Sequence, residues 1–86
     1  MFLGSFTKSV AMSDDAQKVF DKALESLSGV SYEPLAYATK VVNGIVYRFF
    51  CSAEVVVPEA KPFDAYVFVL VPPGGEPTMF DIKQIN

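Results

Sequence analysis

The chain has 86 residues, of which 51% are hydrophobic and 14% aromatic, and this composition predicts one folded domain spanning 1–86 rather than a disordered chain. Seven basic against ten acidic residues give a formal charge of −3, which offers no electrostatic footprint for nucleic acid or for an anionic membrane, so neither partner is expected. Cys51 is the single cysteine, which excludes an internal disulfide, and the first residues lack the apolar run of a signal peptide. We therefore expect a reducing compartment, the cytoplasm.

Residues 1–12 predict a flexible N-terminal arm, because they are mixed in character, have no helix cap and include Gly4 and Ser5. The arm carries three apolar side chains with no obvious partner: Phe2, Leu3 and Phe6. An alternative for residues 9–12 is that they pair with the sheet as an extra edge strand.

A helix is predicted to begin after Ser13, a good N-cap, because Asp14 and Asp15 follow where the helix dipole favours negative charge. Apolar residues with helical spacing then form one face: Ala16, Val19, Phe20, Ala23, Leu24 and Leu27. Gly29 is expected to end the helix, and an extended connection through 30–34 follows it.

From Leu35 the apolar spacing changes to two, which predicts a strand. Asn43-Gly44 between alternating apolar residues predicts a hairpin with a type I′ turn, in which both residues have positive φ. The second strand is long, and one of its faces is apolar: Ile45, Tyr47, Phe49, Cys51, Ala53, Val55 and Val57.

Two further strands are predicted at 63–71 and 78–85, after proline-containing turns at 58–62 and 72–77. This order predicts an α+β fold, with one helix packed across an antiparallel sheet of four strands, or of five if the N-terminal segment joins. In such a meander the turns at 40–44 and 72–77 lie at the same end of the sheet. If the arm also reaches that end, the three segments form one apolar edge suited to a groove on a partner.

Catalytic chemistry is not indicated. The chain has no histidine, so Ser-His and Cys-His nucleophiles are excluded and the commonest metal ligand is missing. Cys51 lies on the apolar side of its strand, where a thiol is buried and structural. Glu54, Asp64 and Asp81 occupy polar strand positions, where a solvated face is favoured over a general acid-base pair. We expect no enzyme activity, no cofactor and no metal.

Residues 37–49, YATKVVNGIVYRF, resemble the central hairpin of cystatins, whose hallmark is Q-V-V-A-G followed by a short spacer and an aromatic strand. The order of helix and strands is also similar to that family, and the resemblance is closest to the stefin (type 1) branch. It implies a cystatin-like fold and a monomer that acts as a reversible, tight-binding inhibitor of papain-like cysteine proteases. The N-terminal arm and the two hairpin loops would plug the active-site cleft of the protease.

The resemblance carries over residue by residue. Gly4 matches the glycine of the cystatin arm, which assigns Leu3 to the protease pocket for the second residue before the cleavage site. Lys40 and Asn43 stand where the family has glutamine and alanine. The implied protease-binding set is Leu3, Gly4, Lys40, Val41, Val42, Asn43, Gly44, Pro72, Pro73 and Gly74.

Two alternatives stay open at this stage. The changed motif positions Lys40 and Asn43 favour a cystatin-like protein-interaction domain that does not inhibit proteases. Domain swapping would relieve strain stored at the hairpin tip, so a domain-swapped dimer is the alternative to a monomer.

Overall fold

The computed structural model describes residues 5–85. The elements follow in the order β1 (Val10–Ala11), α1 (Asp14–Ala23), β2 (Val30–Val42), β3 (Gly44–Val55), β4 (Phe63–Val71) and β5 (Thr78–Gln84). Within this part of the chain the five strands form one antiparallel sheet in the order β1-β2-β3-β4-β5, and α1 packs on one face of it. The predicted α+β arrangement is confirmed, and the extra edge strand lies inside the predicted segment 9–12.

The core forms between the apolar face of α1 and the central strands. Ser13 caps the helix as predicted, because its hydroxyl accepts a hydrogen bond from the Ala16 backbone N–H at 3.1 Å. The Phe20 ring meets Phe49 edge to face at 5.0 Å between centroids, and Phe49 is 0% exposed. The buried core cluster is Ala16, Phe20, Phe49, Cys51, Val67 and Val69. The apolar face of the helix and the apolar face of the strands therefore pack together in one core layer.

The helix is shorter than predicted. It ends at Ala23 with Leu24 as its C-cap, and a turn in which the Leu27 N–H donates to the Leu24 carbonyl follows it. Leu27 is exposed and lies outside the core cluster, so burial does little to offset the weak helix propensity of Ser26 and Ser28. Gly29 does have a positive φ of +91°, but it precedes β2 and does not cap α1.

Strands β2 and β3 also differ from the prediction at their far ends. β2 begins at Val30 and not at Leu35, because the expected connection 30–34 pairs with β3 up to a register shift between Pro34 and Ala36. A proline is tolerated there since β2 is close to the sheet edge and next to a bulge. β3 ends at Val55, and Val57 lies exposed beyond it, so the predicted apolar face of β3 does not extend to Val57.

The predicted type I′ turn is wrong. Val42 and Gly44 are themselves strand partners, which leaves Asn43 alone at the tip of the hairpin. Gly44 has a φ of +115°, whereas Asn43 does not have a positive φ. Within this turn a positive φ is therefore confined to Gly44.

The described part of the predicted arm lies along β2. Val10 pairs with Tyr37 and Ala11 with Ala36, and residues nearer the N-terminus continue beside the same strand. Between residues 5 and 85 no helix combines the length and the apolar character needed to cross a membrane.

Candidate functional site

The turns after β2 and β4 touch each other at one end of the sheet. Val41 pairs with Ile45, and Ile45 pairs on its other side with Val71. A Cβ atom added to Gly44 would lie 2.5 Å from the Val71 carbonyl oxygen and 3.0 Å from the Pro72 Cα. The two segments that the topology predicts to be neighbours are thus in direct backbone contact, and only a glycine fits at position 44.

Apolar side chains at this end are accessible. Val41 is 62% exposed and Ile45 is 40% exposed, and Val42 and Pro72 are half-buried. Pro73 is exposed beside them. We call these five residues the apolar edge. Accessible apolar surface that is contributed by two adjoining loops is typical of a contact site for another protein.

The second loop of the edge is a rigid turn. The Gly75 N–H donates to the Pro72 carbonyl at 3.1 Å, and Gly74 has a φ of +68°. Proline followed by a glycine with positive φ at the two central positions is the pattern of a type II turn. Because Pro72 and Pro73 also restrict the backbone, this loop has little conformational freedom to lose when a partner binds.

The N-terminal arm runs toward the same end. The Thr7 N–H donates to the Thr39 carbonyl at 2.8 Å, and the Thr39 N–H donates to the Thr7 hydroxyl at 3.0 Å. Phe6 continues in this direction and lies beside Lys40, the residue that begins the cystatin-like motif. Leu3 and Gly4, the two arm residues in the implied protease-binding set, lie outside the described residues.

Lys40 and Asn43, the two departures from the motif, have different surroundings. Lys40 lies on the face of β2 opposite to Val41, because successive residues of a strand alternate between faces. Its ammonium Nζ lies 4.9 Å from the centroid of the Phe6 ring. Asn43 is exposed at the tip of the hairpin, next to Gly44. The Lys40 cation is therefore directed away from Val41 and Ile45, although it shares a face of β2 with Val42, and the Asn43 side chain is at the rim of the edge.

Two residues beside the predicted set belong to this end of the sheet and are missing from that set. Ile45 is directly across the hairpin from Val41, and this position follows from the hairpin register once the turn is placed. Phe6 contacts the sheet through its ring, and the sequence alone gives no partner for it.

The buried thiol and the acidic residues do not form a catalytic group. Cys51 is fully buried, burial raises its pKa to about 12, and its Sγ contacts the Phe49 carbonyl at 3.7 Å. Such a thiol stays protonated and is a poor nucleophile. Glu54, Asp64 and Asp81 are exposed, and residues 5–85 contain no cluster of three or more side chains that is suited to hold a metal ion. What this arrangement offers a partner is shape and apolar surface.

No protein-family model matches this chain, and neither curated proteins nor solved structures show a significant similarity to it. The features of this chain that bear on its function are therefore the geometry of the apolar edge and the residues of its first loop.

Proposed function

We propose that this chain is a reversible, tight-binding inhibitor of papain-like cysteine proteases, with a cystatin-like fold of the stefin type. The observation that carries the proposal is the contact between Gly44 and Val71–Pro72, which holds two loops together as one exposed apolar edge. The first of these loops contains the residues that resemble the cystatin hallmark. A narrow apolar edge of this kind is complementary to an elongated cleft.

Inhibition would follow from blocking the cleft and not from chemistry. Val41 and Ile45 would enter the cleft beside the catalytic thiol of the protease, with Pro72 and Pro73 next to them. The chain reverses sharply at Asn43, so it presents no extended peptide bond in register for attack. By resemblance, Leu3 and Gly4 would occupy the pocket on the other side of the thiol. No cofactor is required for this mechanism, and the inhibitor would act as a monomer in a reducing compartment, the cytoplasm.

The direction of the Lys40 side chain supports inhibition over the alternative of a non-inhibitory interaction domain. A lysine buried among the valines would lose its hydration, which is costly for a cation. In the structure Lys40 lies over the Phe6 ring, on the face of the strand opposite to Val41, so its charge is kept apart from the exposed side chains of Val41 and Ile45. Asn43 remains the departure that favours the alternative, because its amide is at the tip and a partner would have to hydrogen-bond it.

Titration of papain with the full chain tests the proposal, with hydrolysis of a small fluorogenic peptide as the readout. We expect stoichiometric loss of protease activity. The substitution Val41→Asp should weaken inhibition by about 100-fold, because the carboxylate would lose its hydration in the cleft. Val56→Asp is the matched control, since Val56 is 69% exposed beyond the end of β3 and lies outside the apolar edge.

The outcomes separate the two candidate functions. If a micromolar excess of the wild-type chain leaves hydrolysis unchanged, the non-inhibitory interaction domain is favoured. If wild type inhibits but Val41→Asp inhibits equally well, the protease contact is somewhere other than the apolar edge. Removal of residues 1–3 should raise the dissociation rate more than it lowers the association rate, as the loss of an anchor generally does.

A further inference from the structure

The Phe6 ring lies on the open face of the sheet, opposite to the helix. Its centroid is 6.3 Å from that of Phe68 on β4. The Arg48 guanidinium carbon lies 4.4 Å from the Phe6 centroid, and the Lys40 ammonium lies 4.9 Å from it. Arg48 is also 5.0 Å from the Tyr66 ring. One ring of the arm is therefore held by one aromatic side chain and two cations from three neighbouring strands.

Phe6 and Thr7 hold the arm in different ways. Thr7 exchanges two hydrogen bonds with Thr39 at the edge of the sheet, while Phe6 crosses over that edge onto the open face. The neighbouring residues Ser5 and Lys8 are exposed. Among residues 5–9, Phe6 is thus the side chain that has ring contacts with the body of the protein.

We propose that Phe6 is a positioning residue, whose ring docks the N-terminal arm on the open sheet face and fixes it next to Lys40 before a partner arrives. The inference rests on the proposed inhibitory function, since it assigns Phe6 the task of assembling the arm with the two loops. The same contact places the ring over the Lys40 cation, on the face that strand alternation sets opposite to Val41.

Assembly of the arm in advance has a physical consequence for binding. A segment that is ordered before association loses less conformational entropy in the complex, and the gain is seen mainly in a slower dissociation rate. Both cation–π contacts are at the surface, where each has a modest effect. Together with the Phe68 contact they are expected to change the docking equilibrium of the arm by about 10-fold.

Amide hydrogen exchange on the isolated chain tests the docking without a protease. In Phe6→Ala the Thr7 and Thr39 amides should exchange about 10-fold faster than in wild type. Phe6→Tyr retains an aromatic ring and should restore protection, whereas Phe6→Leu, which is apolar but has no π-face, should restore it only in part. Phe80→Ala is the matched control, because Phe80 also contacts Phe68 at 6.1 Å and is 55% exposed, but it touches neither cation.

The papain experiment then tests the positioning role. Phe6→Ala should dissociate from papain about 10-fold faster, and Phe6→Tyr should dissociate at the wild-type rate. Unchanged amide exchange of Thr7 and Thr39 in Phe6→Ala overturns the docking of the arm, independently of the result with papain. Faster exchange with an unchanged dissociation rate overturns the positioning role. If the wild-type chain does not inhibit papain, the inhibitor proposal fails, while docking of the arm is still decided by the exchange rates.

Discussion

Replacement of Gly44 with alanine is expected to lower the free energy of unfolding by about 3 kcal/mol. One part of this loss is backbone strain, because Gly44 has a φ of +115°, where residues with a Cβ are strained by about 1–2 kcal/mol. The other part is steric. The new Cβ would lie 2.5 Å from the Val71 carbonyl oxygen, so two backbone segments would have to separate, and overpacking of this kind costs about 1–3 kcal/mol.

Gly74→Ala is the control that isolates the steric part. Gly74 also has a positive φ, of +68°, but a Cβ added there would have no atom within 4 Å. This substitution should therefore lower the free energy of unfolding by only about 1 kcal/mol, through strain alone. The expected difference of about 2 kcal/mol between the two variants measures the contact of the first loop with the second.

Equilibrium unfolding in urea provides both values, with the slope m as a check that the unfolded states are comparable. Equal losses in the two variants would refute the reasoning, because the close approach of Gly44 to Val71 would then have no energetic effect. A larger loss in Gly44→Ala would show that the two loops of the apolar edge are held together by a contact that permits no side chain. The same variant should also inhibit papain poorly, since the loops would be displaced.

Three further changes test other parts of the fold. Ser13→Ala should lower the free energy of unfolding in urea by about 1 kcal/mol, because the Ala16 N–H loses its cap. Glu59→Gly should raise it by about 1 kcal/mol, since Glu59 has a φ of +61°, whereas Glu76→Gly, at a loop position without positive φ, should not. Burial raises the pKa of the Cys51 thiol from 9.0 to about 12. The stability that the buried, neutral thiol contributes is therefore fully present below pH 9 and is lost as the pH rises toward 12. Between pH 8 and about pH 11, the free energy of unfolding measured in urea should fall less in Cys51→Ala than in wild type.

The fold was predictable where the periodic patterns are long and are supported by caps or turns. The alternation around Phe49 placed its face against the helix, and Ser13 with the acidic residues after it placed the helix start. The helix end was not predictable, because apolar spacing continues to Leu27 although the contacts of the helix with the sheet end at Leu24. Spacing indicates which residues are able to share a face, and packing decides how many of them do.

The geometry of the first hairpin was beyond local sequence rules. Asn-Gly favours a turn in which both residues have positive φ, and that preference is a property of the isolated hairpin. Here Gly44 also packs against Val71 and Pro72, which are distant in the sequence, and the reversal is confined to Asn43. The topology of a meander predicts that the two loops are neighbours, but it does not predict the backbone conformation where they touch.

Lys40 departs from the motif that Val41, Val42 and Gly44 preserve, yet its charge does not lie against the exposed Val41. Strand alternation alone places Lys40 and Val41 on opposite faces, so the sequence already separates the cation from the exposed valine. Alternation does not say what receives the cation on the other face. The Phe6 ring, for which sequence patterns indicate no partner, receives it and lies 4.9 Å from the Lys40 ammonium. A lysine at this position is thus compatible with the exposed Val41 and Ile45, because an aromatic ring on the opposite face of the sheet contacts its charge.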